Sequence, residues 1–233
     1  MSKKIICIMF VFLMLFSLAS CEKNTEDIKI NEEQETISPK EDTIEDSSSV
    51  TGKRFNLTLE QFNDKLNEGL AEMGDSENKF DIDNWQELEK ELVDDNGVKY
   101  KSYFYNTQKI TYTVAVENES NKLMNVGCGC SYEDFYSEKD DTAYSTLVTA
   151  SFVSAMACGY SVDDMKFIYN LYKLSIKEQT PIFYKNAVYQ YSENTKSGKD
   201  SSSVLFMVSA ARETLKDVWE LKSYDEVKNN LDN

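Results

Sequence analysis

The spacing of the apolar residues changes repeatedly along the chain, and these changes constrain the fold more than any other feature. Helical spacing over Leu59 to Met73 gives way to alternation over Val98 to Cys130, and helical spacing returns over Thr142 to Tyr172. Two alternating runs, Ile182–Tyr191 and Val204–Ala211, then precede a helical C-terminal segment. This order predicts an α+β domain, a two-layer sandwich with helices on one face of a mainly antiparallel sheet.

The first helix has signals at both ends. Thr58 at the N-cap and Gln61 at N3 make a capping box, and Leu57 can contact Phe62 as a hydrophobic staple. Leu59, Phe62, Leu66, Leu70 and Met73 form one apolar face, and Gly74 is suited to the position after the helix.

Later segments give signals of the same kind. Thr142–Cys158 is apolar nearly all round, which predicts a buried helix that ends at Gly159. Ser161 is expected to start the next helix, and Pro181 to close it. The segment Arg212–Leu231 looks helical, and it contains a second capping box formed by Ser223 and Glu226.

Residues 84–95 are ambiguous from sequence. Trp85, Leu88, Leu92 and Val93 have helical spacing, whereas Asn96-Gly97 is a hairpin turn signal. We expect a strand here rather than a helix.

The order of elements suggests an imperfectly doubled unit, Leu57–Cys130 followed by Thr142–Ala211. It is similar in outline to two-layer folds of the β-lactamase-inhibitor-protein and TATA-binding-protein types. That similarity rests on element order alone and implies nothing about function.

The N-terminus resembles the signal peptide of bacterial lipoproteins. Lys3 and Lys4 precede an apolar run, Ile5 to Phe16, which leads to Leu18-Ala19-Ser20-Cys21. This last motif resembles a lipobox, which implies diacylglycerol and palmitate on Cys21 and removal of residues 1–20. An ordinary secretory signal and a transmembrane anchor are the alternatives, but the run is short for a span of about 20 residues. The resemblance predicts attachment to the outer face of the cytoplasmic membrane, or to an outer membrane if the cell has two.

Residues 21–52 are predicted to be a lipidated cysteine and a disordered tether, and residues 53–233 a single globular domain. From Glu22 to Val50 there are ten acidic and three basic residues and no aromatic residue. Such a segment cannot bury enough apolar surface to offset its loss of conformational entropy. A partner-binding tail is the alternative interpretation of this segment.

Charge and composition exclude several functions. The net charge is −16, and loss of Lys3 and Lys4 with the leader makes it −18. Such a surface repels nucleic-acid phosphates, so we expect no nucleic-acid partner. The chain contains no histidine, which excludes Ser-His-Asp and Cys-His catalysis and histidine-ligated zinc or haem.

Three motifs carry too little signal to assign a metal or cofactor. The run Asp75, Glu77, Asp81, Asp83 and Glu87 resembles a calcium loop, but Phe80 stands at the required glycine and Gln86 at the closing glutamate. A second acidic cluster precedes a predicted helix, where carboxylates favour the helix dipole; its members are Glu133, Asp134, Glu138, Asp140 and Asp141. Ser197-Gly198-Lys199 lacks the residues that a phosphate loop needs on either side.

After lipidation three thiols remain, Cys128, Cys130 and Cys158. If a disulfide forms, we expect Cys158 to pair with Cys128 or Cys130, because a bond between the latter two would close a strained ring. Three reduced thiols packed in the core are the alternative.

Tyr103, Tyr105, Tyr189 and Tyr191 could line a face that binds peptide or glycan, or pack in the core and its rim. No catalytic residue can be named, so the sequence favours a non-enzymatic module that binds a protein or peptide. The alternatives are a cell-wall or carbohydrate-active enzyme that uses paired carboxylates, and an accessory subunit of an envelope complex.

Replacement of Cys21 by Ala should abolish lipidation, because the thioether forms on that sulfur. Metabolic labelling with a palmitate analogue measures it, with Cys7→Ala as the matched control that keeps its label. Undiminished label on the Cys21→Ala protein would contradict the lipobox interpretation.

Overall fold

The computed structural model describes residues 50–51, 54–94, 97–137, 141–194, 202–210 and 221–231. The predicted α+β class is confirmed: helices pack against an open, mainly antiparallel sheet of nine strands. The leader, Cys21 and most of the tether lie outside the described residues.

A two-stranded hairpin precedes the nine-stranded sheet. Its strands are β1 (Val50–Thr51) and β2 (Arg54–Phe55). The strands of the large sheet are β3 (Gln86–Glu87), β4 (Leu92–Val93), β5 (Lys99–Asn106), β6 (Thr111–Glu117), β7 (Leu123–Ser131), β8 (Ile182–Tyr184), β9 (Ala187–Asn194), β10 (Ser203–Ala210) and β11 (Lys222–Ser223).

The described helices are α1 (Leu59–Glu72), α2 (Tyr132–Phe135), α3 (Thr142–Cys158), α4 (Met165–Glu178) and α5 (Tyr224–Val227). Single 3₁₀ turns lie at Ile82–Asn84, Val162–Asp164 and Lys228–Asn230. Within the described ranges, none of the helices is long and apolar enough to cross a membrane.

The strand order of the large sheet is β11-β8-β9-β10-β7-β6-β5-β3, and β4 also pairs with β5. The pairs are antiparallel except β8 with β11. The first half of the chain ends in β7 and the second in β10, and these two strands pair from Ser131 with Ser203 to Asn125 with Ser209. The two predicted units are therefore joined through their last strands at the centre of the sheet.

The core lies between the sheet and helices α1, α3 and α4. Alternation along β7 directs Val126, Cys128 and Cys130 toward α3, a helix that is buried over most of its length, as predicted. Other fully buried members are Phe62, Leu66, Ile168, Leu171, Tyr172, Leu174, Tyr189 and Phe206. Burial of such a set supplies the main favourable term in folding.

The predicted helix ends are confirmed. The Thr58 hydroxyl accepts a hydrogen bond from the Gln61 amide at 3.3 Å, and the Gln61 side chain accepts one from the Thr58 amide at 3.0 Å. Gly159 follows α3 in the left-handed region at φ 74°. The prediction for Met73 was wrong: it is the C-cap of α1 and 45% exposed, because the helix ends before it can point inward.

Residues 84–94 form two short strands rather than a helix, which agrees with the expectation of a strand. Trp85 packs inward and donates a hydrogen bond from Nε1 to Oδ1 of Asn63 at 3.0 Å. Leu92 pairs with Tyr100, so β4 and β5 form the expected hairpin. Asn96 of the turn signal lies outside the described residues, and Gly97 has φ 76°.

Two segments differ from the sequence prediction. The run Ile182–Tyr191 is a hairpin of β8 and β9 rather than one strand, with Lys185 in the left-handed region at φ 50°. The described part of the predicted terminal helix contains β11 and the short helix α5, because Lys222–Ser223 pairs with the edge strand β8. The capping box of Ser223 and Glu226 is present, whereas residues 211–220 lie outside the described residues.

The central pair β7 and β10 depends on two glycines. A Cβ atom placed on Gly127 would lie 2.4 Å from the carbonyl oxygen of Phe206, and one on Gly129 would lie 2.2 Å from that of Val204. Both distances are far inside van der Waals contact with backbone atoms. The two strands could not keep this separation with any side chain at these positions.

Gly129→Ala should therefore destabilise the domain by about 2 kcal/mol or more, the cost typical of forcing extra atoms into a packed site. Urea unfolding would measure the loss as a lower midpoint at unchanged slope. Ser192→Ala, a half-buried position on β9, is the matched control and should change stability by less than about 1 kcal/mol. Equal midpoints for the two variants would contradict the close-approach argument.

Candidate functional site

The three thiols are free and buried in the core. The Cys128 thiol donates to the carbonyl oxygen of Thr146 at 3.6 Å, and the Thr146 hydroxyl donates to Sγ of Cys130 at 3.5 Å. Sγ of Cys158 lies 3.5 Å from the Tyr189 hydroxyl. Burial raises the pKa of Cys128 well above its usual value and that of Cys158 to about 12, so neither is a thiolate nucleophile at neutral pH.

The fold keeps Cys158 away from the other two thiols. Thr146, which contacts both Cys128 and Cys130, is separated from Cys158 by about 18 Å of α3 at 1.5 Å per residue. Side-chain bond lengths limit each of the two contacts to a Cα separation of about 9 Å, which leaves Cys158 at least about 9 Å from both partners. A disulfide needs Cα atoms within about 7 Å, so the expected Cys158 bridge is incompatible with this arrangement.

Carboxylates of the first acidic run accept hydrogen bonds from other groups of the domain. Asp75 accepts hydrogen bonds from Asn78 at 2.9 and 3.1 Å, and Asp81 accepts one from the amide of Asp83. Glu87 pairs with Lys101 at 2.8 Å, and the hydrogen bond from Lys101 lowers the pKa of its carboxyl group. Within the described ranges, no three side chains of the metal-ligating types come together.

The described residues of the second acidic run lie at the starts of two different helices. Glu133 and Asp134 occupy the first turn of α2, where the Ser131 hydroxyl caps the helix through the Asp134 amide at 3.0 Å. Asp141 is at the N-cap of α3. Glu138, Asp140 and the Ser197-Gly198-Lys199 segment lie outside the described residues.

The four tyrosines singled out from sequence have different environments. Tyr189 is fully buried and packs edge-on against Tyr172, with ring centroids 5.8 Å apart. Tyr105 packs with the rings of Phe80, Trp85 and Tyr112. Tyr103 donates a hydrogen bond to Glu87 at 3.2 Å. These three tyrosines therefore pack in the core or at its rim, whereas Tyr191 has a different environment.

Tyr191 belongs to a tyrosine–carboxylate cluster that also contains Tyr136 and Glu193. The two hydroxyl oxygens lie 2.9 Å apart, and each hydroxyl donates to Oε1 of Glu193. Burial, and secondarily the Glu193 carboxylate, raise the pKa of both tyrosines, so they remain protonated donors at neutral pH. The ring of Tyr132 lies 4.4 Å from that of Tyr136, and the ring of Phe135 lies 5.1 Å from it.

Sequence reasoning missed Tyr136 and Glu193. Tyr191 and Glu193 are two residues apart on β9 and so share a face, which was the one local signal. Tyr136 follows α2 and reaches them because β7, β10 and β9 are neighbours in the sheet.

The sheet has a second face, opposite α1, α3 and α4, whose middle part lies on β6, β7, β10 and β9. Alternation and register place on it the residues Thr111, Thr113, Ala115, Asn125, Gly127, Gly129, Leu205, Met207, Ser209, Val188, Gln190 and Ser192. We call this set the open face. None of its members is charged, although 28% of the chain is.

The apolar members of the open face are buried to different extents: Val188 is 1% and Ala115 3% exposed, whereas Leu205 and Met207 are half-buried. Ala115 belongs to a small second cluster with Tyr100, Phe104 and Met124. Val188, Leu205 and Met207 belong to neither hydrophobic cluster. Gln190 lies beside Met207, and its Oε1 is buried without a hydrogen-bond partner. A buried, unpaired amide oxygen costs about 1–3 kcal/mol, so this surface contains an acceptor that the described fold leaves unsatisfied.

The chain enters the helix-side core, on the other side of the sheet from the open face, at Phe55. Phe55 of β2 is fully buried in the helix-side core, and the Leu123 amide donates to the carbonyl oxygen of Leu57 at 3.0 Å. From Leu123, β7 extends about 26 Å to Ser131, at 3.3 Å per residue. The tyrosine–carboxylate cluster lies near that end of the strand, because Glu193 pairs with Val204, which pairs with Cys130, and the open face is free of the attachment point.

Comparison of the chain with protein-family models, with curated proteins and with solved structures found no match.

In the folded, lipidated protein the three thiols should not react with a maleimide at pH 7, because burial holds them protonated and shielded. After unfolding in urea without reductant, three thiols per chain should be modified, which mass spectrometry counts. Modification of only one thiol in urea would show that a disulfide forms in spite of the geometry. Rapid labelling before unfolding would contradict the burial.

Proposed function

We propose that this protein is a lipoprotein of the cell envelope, anchored to a membrane by a lipid on Cys21, whose domain binds a protein or peptide without catalysing a reaction. The uncharged open face carries the proposal. Its apolar side chains and its unpaired amide oxygen are features of a surface that another chain completes.

The composition of the open face suits an uncharged segment of a partner. Leu205 and Met207 offer apolar contact, and the hydroxyls of Thr111, Thr113 and Ser192 flank them. Depletion of charge at the centre, with a charged periphery, is characteristic of protein interfaces. A charged group pressed against this surface without a partner would lose hydration and gain little.

Gln190 would help to orient a segment bound to this surface. Its Oε1 is buried and accepts no hydrogen bond, and rotation of this half-buried side chain toward a bound segment would let a backbone amide of that segment donate to it. That bond would remove the desolvation cost of an unsatisfied acceptor.

The thiols give no support to an enzymatic alternative. Cys128 and Cys158 are fully buried with raised pKa values, so they are removed from nucleophilic chemistry. The chain also lacks histidine, the commonest general base. Binding of a protein or peptide requires neither a reactive thiol nor a histidine.

The position of the tether is compatible with binding on the open face. The chain enters through β2, which packs into the helix-side core near Leu123. A partner on the opposite side of the sheet would therefore leave this entry point uncovered. The acidic tether, if extended as its charge predicts, would hold the domain away from the membrane.

Site-specific photo-crosslinking in intact cells tests the proposal. A photoreactive residue at Thr111 or Met207 should give a discrete adduct of the same mass from both positions. The same residue at Glu68 of α1 or Lys166 of α4, both exposed on the helix side, provides the matched controls and should not give that adduct.

Met207→Glu should abolish the adduct formed from Thr111, because it places a charge in the contact surface, and thermal unfolding should show that the variant still folds. Identical adducts from the control positions, no adduct from the open face, or an adduct that survives Met207→Glu would each contradict the proposal.

A further inference from the structure

We infer that Tyr136, Tyr191 and Glu193 form a binding site for an organic cation, an ammonium or guanidinium group carried by a ligand. The site is separate from the open face and does not depend on the function proposed for that face.

The numbers of hydrogen-bond donors and acceptors in the cluster favour a ligand that is a cationic donor. Three oxygens, the two tyrosine hydroxyls and Oε1 of Glu193, are in mutual contact. The hydroxyls supply two protons and an ionised carboxylate supplies none, so two protons serve three contacts. The oxygens of the cluster therefore keep lone pairs that no proton of the cluster occupies, and an ammonium group, with three N–H donors and no acceptor, matches them.

Glu193 has one oxygen available for such a ligand. Both tyrosine hydroxyls donate to Oε1, which fixes the orientation of the carboxylate. Among the described residues no lysine or arginine pairs with Glu193, and its side chain is exposed. A hydrogen bond from a cation to a carboxylate is about twice as strong as one between neutral groups.

Aromatic residues lie beside the carboxylate. Tyr136 and Tyr191 contact it through their hydroxyls, Tyr132 packs against Tyr136, and all three residues are partly exposed. Phe135 packs beneath them, 5.1 Å from Tyr136 and 6.3 Å from Tyr191. A cation within about 6 Å of an aromatic face gains roughly 0.5–2 kcal/mol, so rings and carboxylate attract the same class of ligand.

The residues around the cluster are negatively charged, as Glu193 itself is. Glu133 and Asp134 lie on α2 beside Tyr132 and Tyr136, and the whole chain carries −16. Such a field attracts organic cations and repels anions. A hard divalent ion is a poorer fit, because Ca²⁺ takes six to eight oxygen ligands and this cluster contributes a single carboxylate.

Binding of small probes to the full mature chain in neutral detergent micelles tests the site. N-acetyl-lysine methylamide and N-acetyl-arginine methylamide each carry a cation, and N-acetyl-norleucine methylamide keeps the length of lysine without its charge. Nuclear magnetic resonance of the tyrosine ring protons would follow the titrations. We expect saturable shifts with at least one cationic probe and at least about tenfold weaker binding of norleucine.

Glu193→Gln should weaken the cationic probe by about tenfold or more, because it removes the charge from the acceptor. Glu72→Gln makes the same chemical change at an exposed position of α1, outside the cluster and its surroundings, and should keep the affinity within about twofold. The lysine and arginine probes then distinguish an ammonium from a guanidinium site.

Three outcomes would overturn the inference: no saturable shift with either cation, equal binding of norleucine, or unchanged affinity in Glu193→Gln. Thermal unfolding of Glu193→Gln provides the folding control, and the norleucine comparison is made on the unaltered protein. Neither result depends on whether the open face binds a partner.

Discussion

The antiparallel pairing of β7 with β10 is the interaction on which the rest of the structure depends. It joins the last strand of the first half of the chain to the last strand of the second, over seven paired positions from Ser131 with Ser203 to Asn125 with Ser209. Gly127 and Gly129 permit this pairing, because a Cβ atom at either position would collide with the backbone of β10. Without this contact, the sheet would be divided into two separate parts, one of strands β3 to β7 and one of strands β8 to β11.

This central pair also divides the molecule into two unlike faces. One face directs Cys128, Phe206 and Tyr189 into a core that α3 covers along its length. On the other face the same strands present glycine, serine, amide and a few apolar residues, with no charge among them. A buried core explains the first pattern, and the second, together with the unpaired buried oxygen of Gln190, is the observation from which we propose a partner.

Near the Ser131 end of the central strands, polar side chains from separate elements come into contact. The buried core contains no comparable cluster among the described residues. Tyr191 and Glu193 belong to β9, and Tyr136 follows α2, the helix that comes directly after β7. The thiols, although chemically more reactive in principle, are held protonated by burial against α3. The exposed carboxylate of Glu193 is therefore better placed to meet a ligand than any described cysteine.

The sequence by itself determined what acts over a few residues. The capping box of Thr58 and Gln61, the left-handed Gly159, the buried helix Thr142–Cys158 and the alternation of the strands are local patterns, and each is present. The N-terminal lipobox is also local, and it stays a prediction. Turns without a glycine, such as the one at Lys185, gave no local signal and were missed.

Only the tertiary structure decided which strands became neighbours and hence which side chains meet. The distance of Cys158 from Cys128 follows from the direction of α3 across the sheet, and the contact of Tyr136 with Tyr191 follows from the order β7, β10, β9. Strand order depends on contacts between residues far apart in sequence, and the alternation that forms a strand is the same whichever neighbour it receives. The candidate sites belong to this second class, because each is built from separate elements that the central pairing brings side by side.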